Sequence, residues 1–376
     1  MKPRKPDFWT VINFLALVAF GFAAVYKATS GTNLDGLHKS DMSLFAVFCI
    51  PMMVTAFIDY RIWIGKLAYV LYAMSIGLLL LVKFIGEDIN GAVRWLNVGS
   101  LQLQPSELAK LFTIMLAASW LQRRKGQSLR LVKDLLPLFI IFIIPTYLIM
   151  SQPDLGTALV FVGIFFTLMW IANTRLPHVL GLLGSIACIV ATIVQLYYHN
   201  HELLAKIIKP HQMARIQTFL DPNSDPNKSY HVAHAQIAIG IGGLKGDGGQ
   251  YVQQGFVPYA YSDSIFTVVS ENFGFIGNAL LIALFFMLIY RITLIMLESR
   301  DVGGTYLVAG IAGMILFQIF VNIGMHIGFL PLTGISLPFI SYGGSSLLTN
   351  MIAIGLVLSV KMHNEDEAGA TSTFSV

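Results

Sequence analysis

Ten long apolar runs punctuate the chain, near residues 8–27, 42–58, 66–85, 105–121, 135–151, 153–173, 178–198, 274–297, 304–327 and 345–362. Each has roughly the length, ~20 residues, that a helix needs to cross the hydrocarbon core of a bilayer. Inside lipid every backbone amide must find an internal partner, which leaves only helices and closed barrels. Apolar and polar positions do not alternate with period two, and the runs are too long for barrel strands. The pattern therefore predicts an all-α integral membrane protein of about ten transmembrane helices. The runs 135–151 and 153–173 are joined by almost nothing, which predicts a tight helical hairpin broken at Pro153. The first run is too long for a signal peptide and lacks a small-residue cleavage site.

Composition agrees. The 376 residues are 56% hydrophobic and 12% charged, with mean hydropathy +0.70, and a soluble domain carries about 25% charged residues. Cys49 and Cys188 both fall inside apolar runs and read as small packing residues, not as a disulfide or metal pair. The net charge of +4 becomes informative once it is located. With the N-terminus in the cytoplasm, the inner segments hold Lys2, Arg4, Lys5, Arg61, Lys66, Arg123, Arg124, Lys125, Arg130, Lys133, Arg175, Arg291, Arg300 and Lys361. The short outer loops hold only Lys27, Lys39, Lys83 and Arg94. That asymmetry sets the orientation. An even number of spans returns the polar tail 363–376 to the cytoplasm. Nothing in this charge distribution points to a nucleic-acid partner.

A single polytopic domain, 1–376, is expected, with one long outer segment at 199–273 between the seventh and eighth spans. A connection of that length is functional or disordered. Its apolar stretches, aromatics and glycines predict that it folds against the membrane surface, with 264–273 as a short amphipathic helix. Shorter outer loops lie at 86–104 and 328–344.

Several signatures fail. His201-Glu202 opens a zinc-helix string that Ala205 breaks, and the glycines from Gly240 to Gly249 match neither a dinucleotide fingerprint nor a P-loop. His231 and His234 lack further ligands for a metal, and no Gly-x-Ser-x-Gly elbow appears. Ionisable groups at membrane depth are more informative, because they are costly and tend to face a cavity. Glu107 follows Gln104-Pro105-Ser106, and Lys110 three residues on shares its helix face. Function and a structural ion pair are equally good readings there. Gln152-Pro153-Asp154 repeats the device, proline suits the first helical turn, and helix capping is the stronger reading for Asp154. Asp263 stands among Val257, Tyr259, Tyr261, Ile265 and Phe266. Such neighbours desolvate a carboxylate and raise its pKa, which suits a general base. An N-cap role at the helix beginning near Ser264 is compatible with this.

Together these stretches resemble the SEDS family of membrane enzymes that polymerise peptidoglycan from lipid II. The matching strings are Asn90-Gly91-Ala92-Val93-Arg94-Trp95, Gln104-Pro105-Ser106-Glu107-Leu108-Ala109-Lys110 and Gln152-Pro153-Asp154-Leu155-Gly156-Thr157-Ala158. They continue with Asp221-Pro222, Asp225-Pro226, Ala238-Ile239-Gly240 and Gly242-Gly243-Leu244. The last is the stretch from Leu330 through Ser341 to Ser346. Similarity runs from about residue 8 to 362. Compact tails and Pro331-Leu332-Thr333-Gly334-Ile335 favour the RodA elongation branch over the FtsW division branch. Asp263 aligns with the family's catalytic aspartate. Tyr259 and Tyr261 replace the Glu and His that usually flank it, and Asp247 stands where a lysine is usual.

The resemblance implies that Asp263 deprotonates the 4-hydroxyl of an acceptor GlcNAc, with undecaprenyl pyrophosphate leaving the donor and a β-1,4 glycan as product. Arg94, Lys110, Arg215 and Lys245 are candidates to meet the leaving charge, with Mg2+ or Mn2+ as a candidate helper. Trp95, Glu107, Asp154, Ser341 and Ser345 complete the candidate substrate contacts. A class B penicillin-binding protein is the implied partner, and the bacterial inner membrane the implied location. The rival readings are an FtsW-like division polymerase, a lipid II flippase and a non-enzymatic scaffold.

Overall fold

The computed structural model describes residues 5–89, 92–98, 101–208, 210–221 and 226–364. Lys2, Arg4, Asn90-Gly91, Pro222, Asp225 and the tail beyond 364 lie outside the described residues.

The apolar runs fold as helices: α1 (Phe8–Thr29), α2 (Leu37–Phe57), a single turn α3 (Tyr60–Trp63) and α4 (Lys66–Ile85). After the strands β1 (Glu87–Ile89), β2 (Ala92–Val98) and β3 (Leu101–Leu103) come α5 (Pro105–Leu121), α6 (Leu136–Ser151), α7 (Leu155–Ile171) and α8 (Leu176–His199). The long segment folds as α9 (His201–Ile207), α10 (Pro210–Leu220), α11 (Pro226–Ile241) and the turn α12 (Gln250–Gln253). The chain closes with α13 (Ile265–Glu298), α14 (Val302–His326) and α15 (Gly344–His363).

Start signals explain several boundaries. Asp7, Asp154 and Asp301 each accept the backbone N–H three residues on, at 2.9, 3.1 and 3.1 Å, as capping side chains do. Pro105 opens α5 from its first turn, with Glu107 beside the positive helix end.

Among the described residues, eight helices are long and apolar enough to cross a membrane: α1, α2, α4, the segment Leu131–Ser151 that contains α6, α8, α13, α14 and α15. α7 is apolar but shorter, and α5, at 17 residues, carries Glu107 and Lys110. α5, α14 and α15 form the centre of the bundle, with α2 along α15, α7 along α14, α13 along α1 and α4 against α5. Small residues bring these backbones together: a Cβ at Gly355 would stand 2.1 Å from Thr55 Oγ1, the close approach that packs helices in lipid. α8 is peripheral, with only 6% of its apolar window buried.

Three expectations change. The 86–104 loop is a three-stranded antiparallel sheet of order β1-β2-β3, with Glu87 opposite Trp95 and Leu96 opposite Leu103. Its strands are too short to show a period-two signal. The helix expected at 264–273 exists but is not amphipathic: Ile265 to Glu271 are all buried. It runs into α13 across Gly274, whose φ of 60° and ψ of −157° only glycine adopts readily. Gly242 and Gly246 dock on that kink, and a Cβ at Gly242 would stand 1.9 Å from Ser270 O. Finally, Pro153 precedes the cap of α7 instead of sitting in its first turn.

Contacts gather the sheet, the α6–α7 corner and the start of α15 at one end of the bundle. Ser345 Oγ donates to Gln102 O at 3.0 Å and accepts from Gln104 N at 2.9 Å. Gln152 Nε2 reaches Leu79 O at 2.8 Å. The opposite end is tied by ion pairs, Asp7 with Arg291 and Arg124 with Asp134.

Candidate active site

Asp263 ends the turn that precedes α13, at the sheet end. Ser264, not Asp263, occupies the N-cap position, and no side chain caps the helix there. Burial is the main influence on the Asp263 carboxyl and pushes its pKa up to about 6, against the N–H groups of Asp263 and Ser264 and the charge of Arg215. Its Oδ1 is buried without a hydrogen-bond partner. The residue as a whole remains partly accessible.

The backbone of Asp263 is clamped from α14. Its carbonyl accepts from Asn322 Nδ2 at 2.8 Å and from His326 Nε2 at 2.9 Å, and Asn322 Nδ2 also reaches Ile335 O at 2.7 Å. A carbonyl only accepts, so Nε2 of His326 carries the proton. Asn322 and His326 escaped the sequence reading. The available signal was Gln318, Asn322 and His326 at four-residue intervals in an apolar run, all buried. On the other side lies Gly334, whose φ of +73° favours glycine; a Cβ there would make ordinary contact with Asp263 Oδ2 at 3.4 Å.

Three charged groups, Arg94, Asp154 and Asp263, act on Arg215. Burial and the neighbouring Arg94 hold the Arg215 guanidinium below its usual pKa, while Asp154 and Asp263 act in the opposite sense. Arg215 comes from α10, and its Nη1 is buried without a hydrogen-bond partner. Arg94 of β2 is fixed by donating Nε to Gln152 O at 3.0 Å and Nη2 to Pro153 O. Asp154 caps α7 as expected, accepting from Thr157 N at 3.1 Å and Thr157 Oγ1 at 2.9 Å, and also receives Gln104 Nε2 at 3.1 Å. The repeated Gln-Pro strings thus meet each other through Gln104 and Asp154.

Other candidates stand apart. Glu107 and Lys110 form a buried ion pair of 2.8 Å within α5, with Glu107 Oε2 left unpartnered. Lys245 is exposed in the glycine turn docked near Gly274. That docking point lies at the far end of a helical stretch ~15 Å long from Asp263. Ser341 Oγ accepts from Leu337 N at 2.7 Å and shapes its own turn, and Ser345 joins β3 to α15. Trp95 is half-buried in β2. His234 pairs through Nδ1 with Tyr251 Oη, not with His231. Among the described residues no three His, Cys, Asp or Glu side chains form a group that could hold a metal ion.

An apolar cavity of about 520 Å³ opens between α4 and α6, lined by Ile76, Leu80, Ile143, Ile144, Tyr147 and Leu148. Leu79 and Gln152, beside it on the same helices, join it to the corner that Arg94 grips.

A family model described as a cell cycle protein of the FtsW, RodA and SpoVE group matches residues 8–366. A probable peptidoglycan glycosyltransferase FtsW of Trichlorobacter lovleyi is 33% identical, with 95% of each chain covered. The peptidoglycan glycosyltransferase MrdB of Escherichia coli is 32% identical over 97% of this chain and 98% of its own. Among solved structures, a peptidoglycan synthase complex that coordinates polymerization and crosslinking contains a chain 31% identical, with TM-score 0.80, covering 96% of this chain and 99% of that one. The rod shape determining protein RodA of Thermus thermophilus is 27% identical with TM-score 0.72, over 97% and 99%.

Proposed function

From the premise that this chain belongs to the FtsW, RodA and SpoVE family, we propose that it polymerises lipid II with Asp263 as general base. The carrying observation is a desolvated Asp263 carboxylate, its backbone clamped by Asn322 and His326, facing Arg215, which in turn neighbours Arg94 and Asp154. The enzyme is a peptidoglycan glycosyltransferase, as its relatives are named.

The Asp263 carboxylate takes the proton of the acceptor GlcNAc 4-hydroxyl. That oxygen bonds to the anomeric carbon of the donor MurNAc as the bond to pyrophosphate breaks, and undecaprenyl pyrophosphate departs. Direct displacement inverts an α-linked donor to a β-1,4 product. Leaving charge needs cations already in place. Arg215, buried with a free Nη1, and Arg94, held by two carbonyls, supply them. The α4–α6 cavity suits a prenyl tail, since it is lined by Ile76, Leu80, Ile143, Ile144, Tyr147 and Leu148 and exposes no polar surface. With the sheet end outward, as the Lys and Arg distribution favours, the chemistry lies outside the cytoplasmic membrane.

The Pro331–Ile335 string supports the RodA elongation role over division. The synthase-complex likeness supports a class B penicillin-binding partner. Lipid II supplied to purified protein in detergent tests the polymerase: glycan should form with no leaflets present, and a flippase or scaffold would make none.

A further inference from the structure

A group of aromatic rings from α11, α12 and the turn before Asp263 has no part in that step. Tyr230 and His234 of α11 pack with centroids 3.9 Å apart, their rings tilted by 34°. Tyr251 of α12 stacks on Phe256 at 4.7 Å, and Phe256 lies nearly parallel to His234 at 5.7 Å. His234 Nδ1 pairs with Tyr251 Oη, which fixes the two pairs as one rigid unit. Its outer members stay in the open: Tyr230 is 37% exposed and Phe256 36%.

Two observations connect this unit to the base. Both carboxylate oxygens of Glu271 receive backbone N–H groups of α12, from Tyr251 at 2.6 Å and Val252 at 3.0 Å. Glu271 lies eight residues beyond Asp263 on the buried start of α13, ~12 Å at 1.5 Å per residue, about the length of a disaccharide. Between Phe256 and Asp263 the surface carries Tyr259, 44% exposed at φ +51°, and Tyr261, which packs edge-on against Tyr342 at 6.1 Å. Tyr259 and Tyr261 are the positions where this chain departs from its family's Glu and His. Tyr259 and Tyr261 place further rings on the stretch of chain that leads from Phe256 to Asp263.

Part-exposed rings held rigidly beside a site mark a binding surface. The axial C–H faces of a pyranose ring stack on aromatic faces, and its hydroxyls bond the phenol and imidazole edges. We infer that Tyr230, His234, Tyr251, Phe256 and Tyr259 form a platform for the β-1,4-linked amino-sugar strand as it passes Asp263. This rests on the polymerase reading for the strand's origin, but the platform binds sugar without turnover.

The test uses the full chain in detergent with chitohexaose, a soluble β-1,4 N-acetylglucosamine oligomer, as probe. Saturation transfer from protein aromatic protons to the sugar should be present. Tyr230→Leu with Phe256→Leu should reduce it several-fold, while Tyr230→Phe with Phe256→Tyr keeps it. Strands made from lipid II should shorten several-fold in the leucine variant and recover in the ring-keeping one. Undiminished transfer in the leucine variant, no transfer to the parent chain, or strands of parental length overturns the platform. If the parent makes no glycan at all, the polymerase reading fails while the hexamer measurement still decides the platform.

Discussion

Arg215 and Asp263 feel each other's charge across the site, yet no ion pair joins them, and each keeps one buried atom unpartnered, Nη1 and Oδ1. Two opposite charges left unjoined in a desolvated corner form a costly arrangement unless a third group completes it. A substrate that brings a hydroxyl to the carboxylate and a pyrophosphate to the guanidinium does so.

The pH dependence follows from the carboxyl pushed up to about 6. A base acts only when ionised, so the polymerisation rate should climb with pH to about 6 and level off above it. Stability runs the other way. The folded-state pKa is raised, so between the ordinary value of 3.8 and about 6 the folded protein holds a proton that the unfolded chain releases. This contribution is full below 3.8 and lost as pH rises through about 6. Asp263→Asn should therefore raise the melting temperature at neutral pH, a gain of up to about 3 kcal/mol. A melting curve at pH 7.5 checks it.

Arg215→Gln should cost more activity than Lys245→Gln, because only Arg215 shares the field of Asp263. Losing that cation should also move the acidic limb of the rate profile to higher pH, since Arg215 holds the Asp263 pKa down. Rates from pH 5 to 8 for both variants distinguish them.

Glu107→Gln leaves the Lys110 ammonium, fully buried, without its 2.8 Å partner. Uncompensated buried charge of this kind costs about 3–5 kcal/mol. Glu107→Gln with Lys110→Met should regain most of the loss in thermal melts. A double variant that is stable yet inactive would assign the pair to substrate handling.

His326→Ala removes one of two donors from the Asp263 carbonyl. The expected cost is about 1–3 kcal/mol in stability, with a larger relative loss in turnover, because the base itself shifts. His326→Asn should restore part of the turnover if the donor is what matters.

Long apolar runs and a motif-bearing long loop were legible in the sequence, because lipid imposes one periodic rule on helices. Asp263, Arg94, Asp154 and Arg215 were legible as residues, but their meeting was not: it depends on Arg94 gripping the carbonyls of Gln152 and Pro153, contacts that leave no side-chain signature. The small sheet was missed because β1 and β3 span three residues each. Asn322 and His326 were missed because polar residues in a span were sought as charges. Lys245 lies in a glycine turn that docks on the Gly274 kink, a packing role the sequence did not signal.

The most direct test is glycan synthesis from lipid II by purified Asp263→Asn protein in detergent, beside the parent chain. The account expects a folded, at least equally stable variant whose polymerisation falls by about 10²-fold or more. Polymerisation near the parental rate would contradict it.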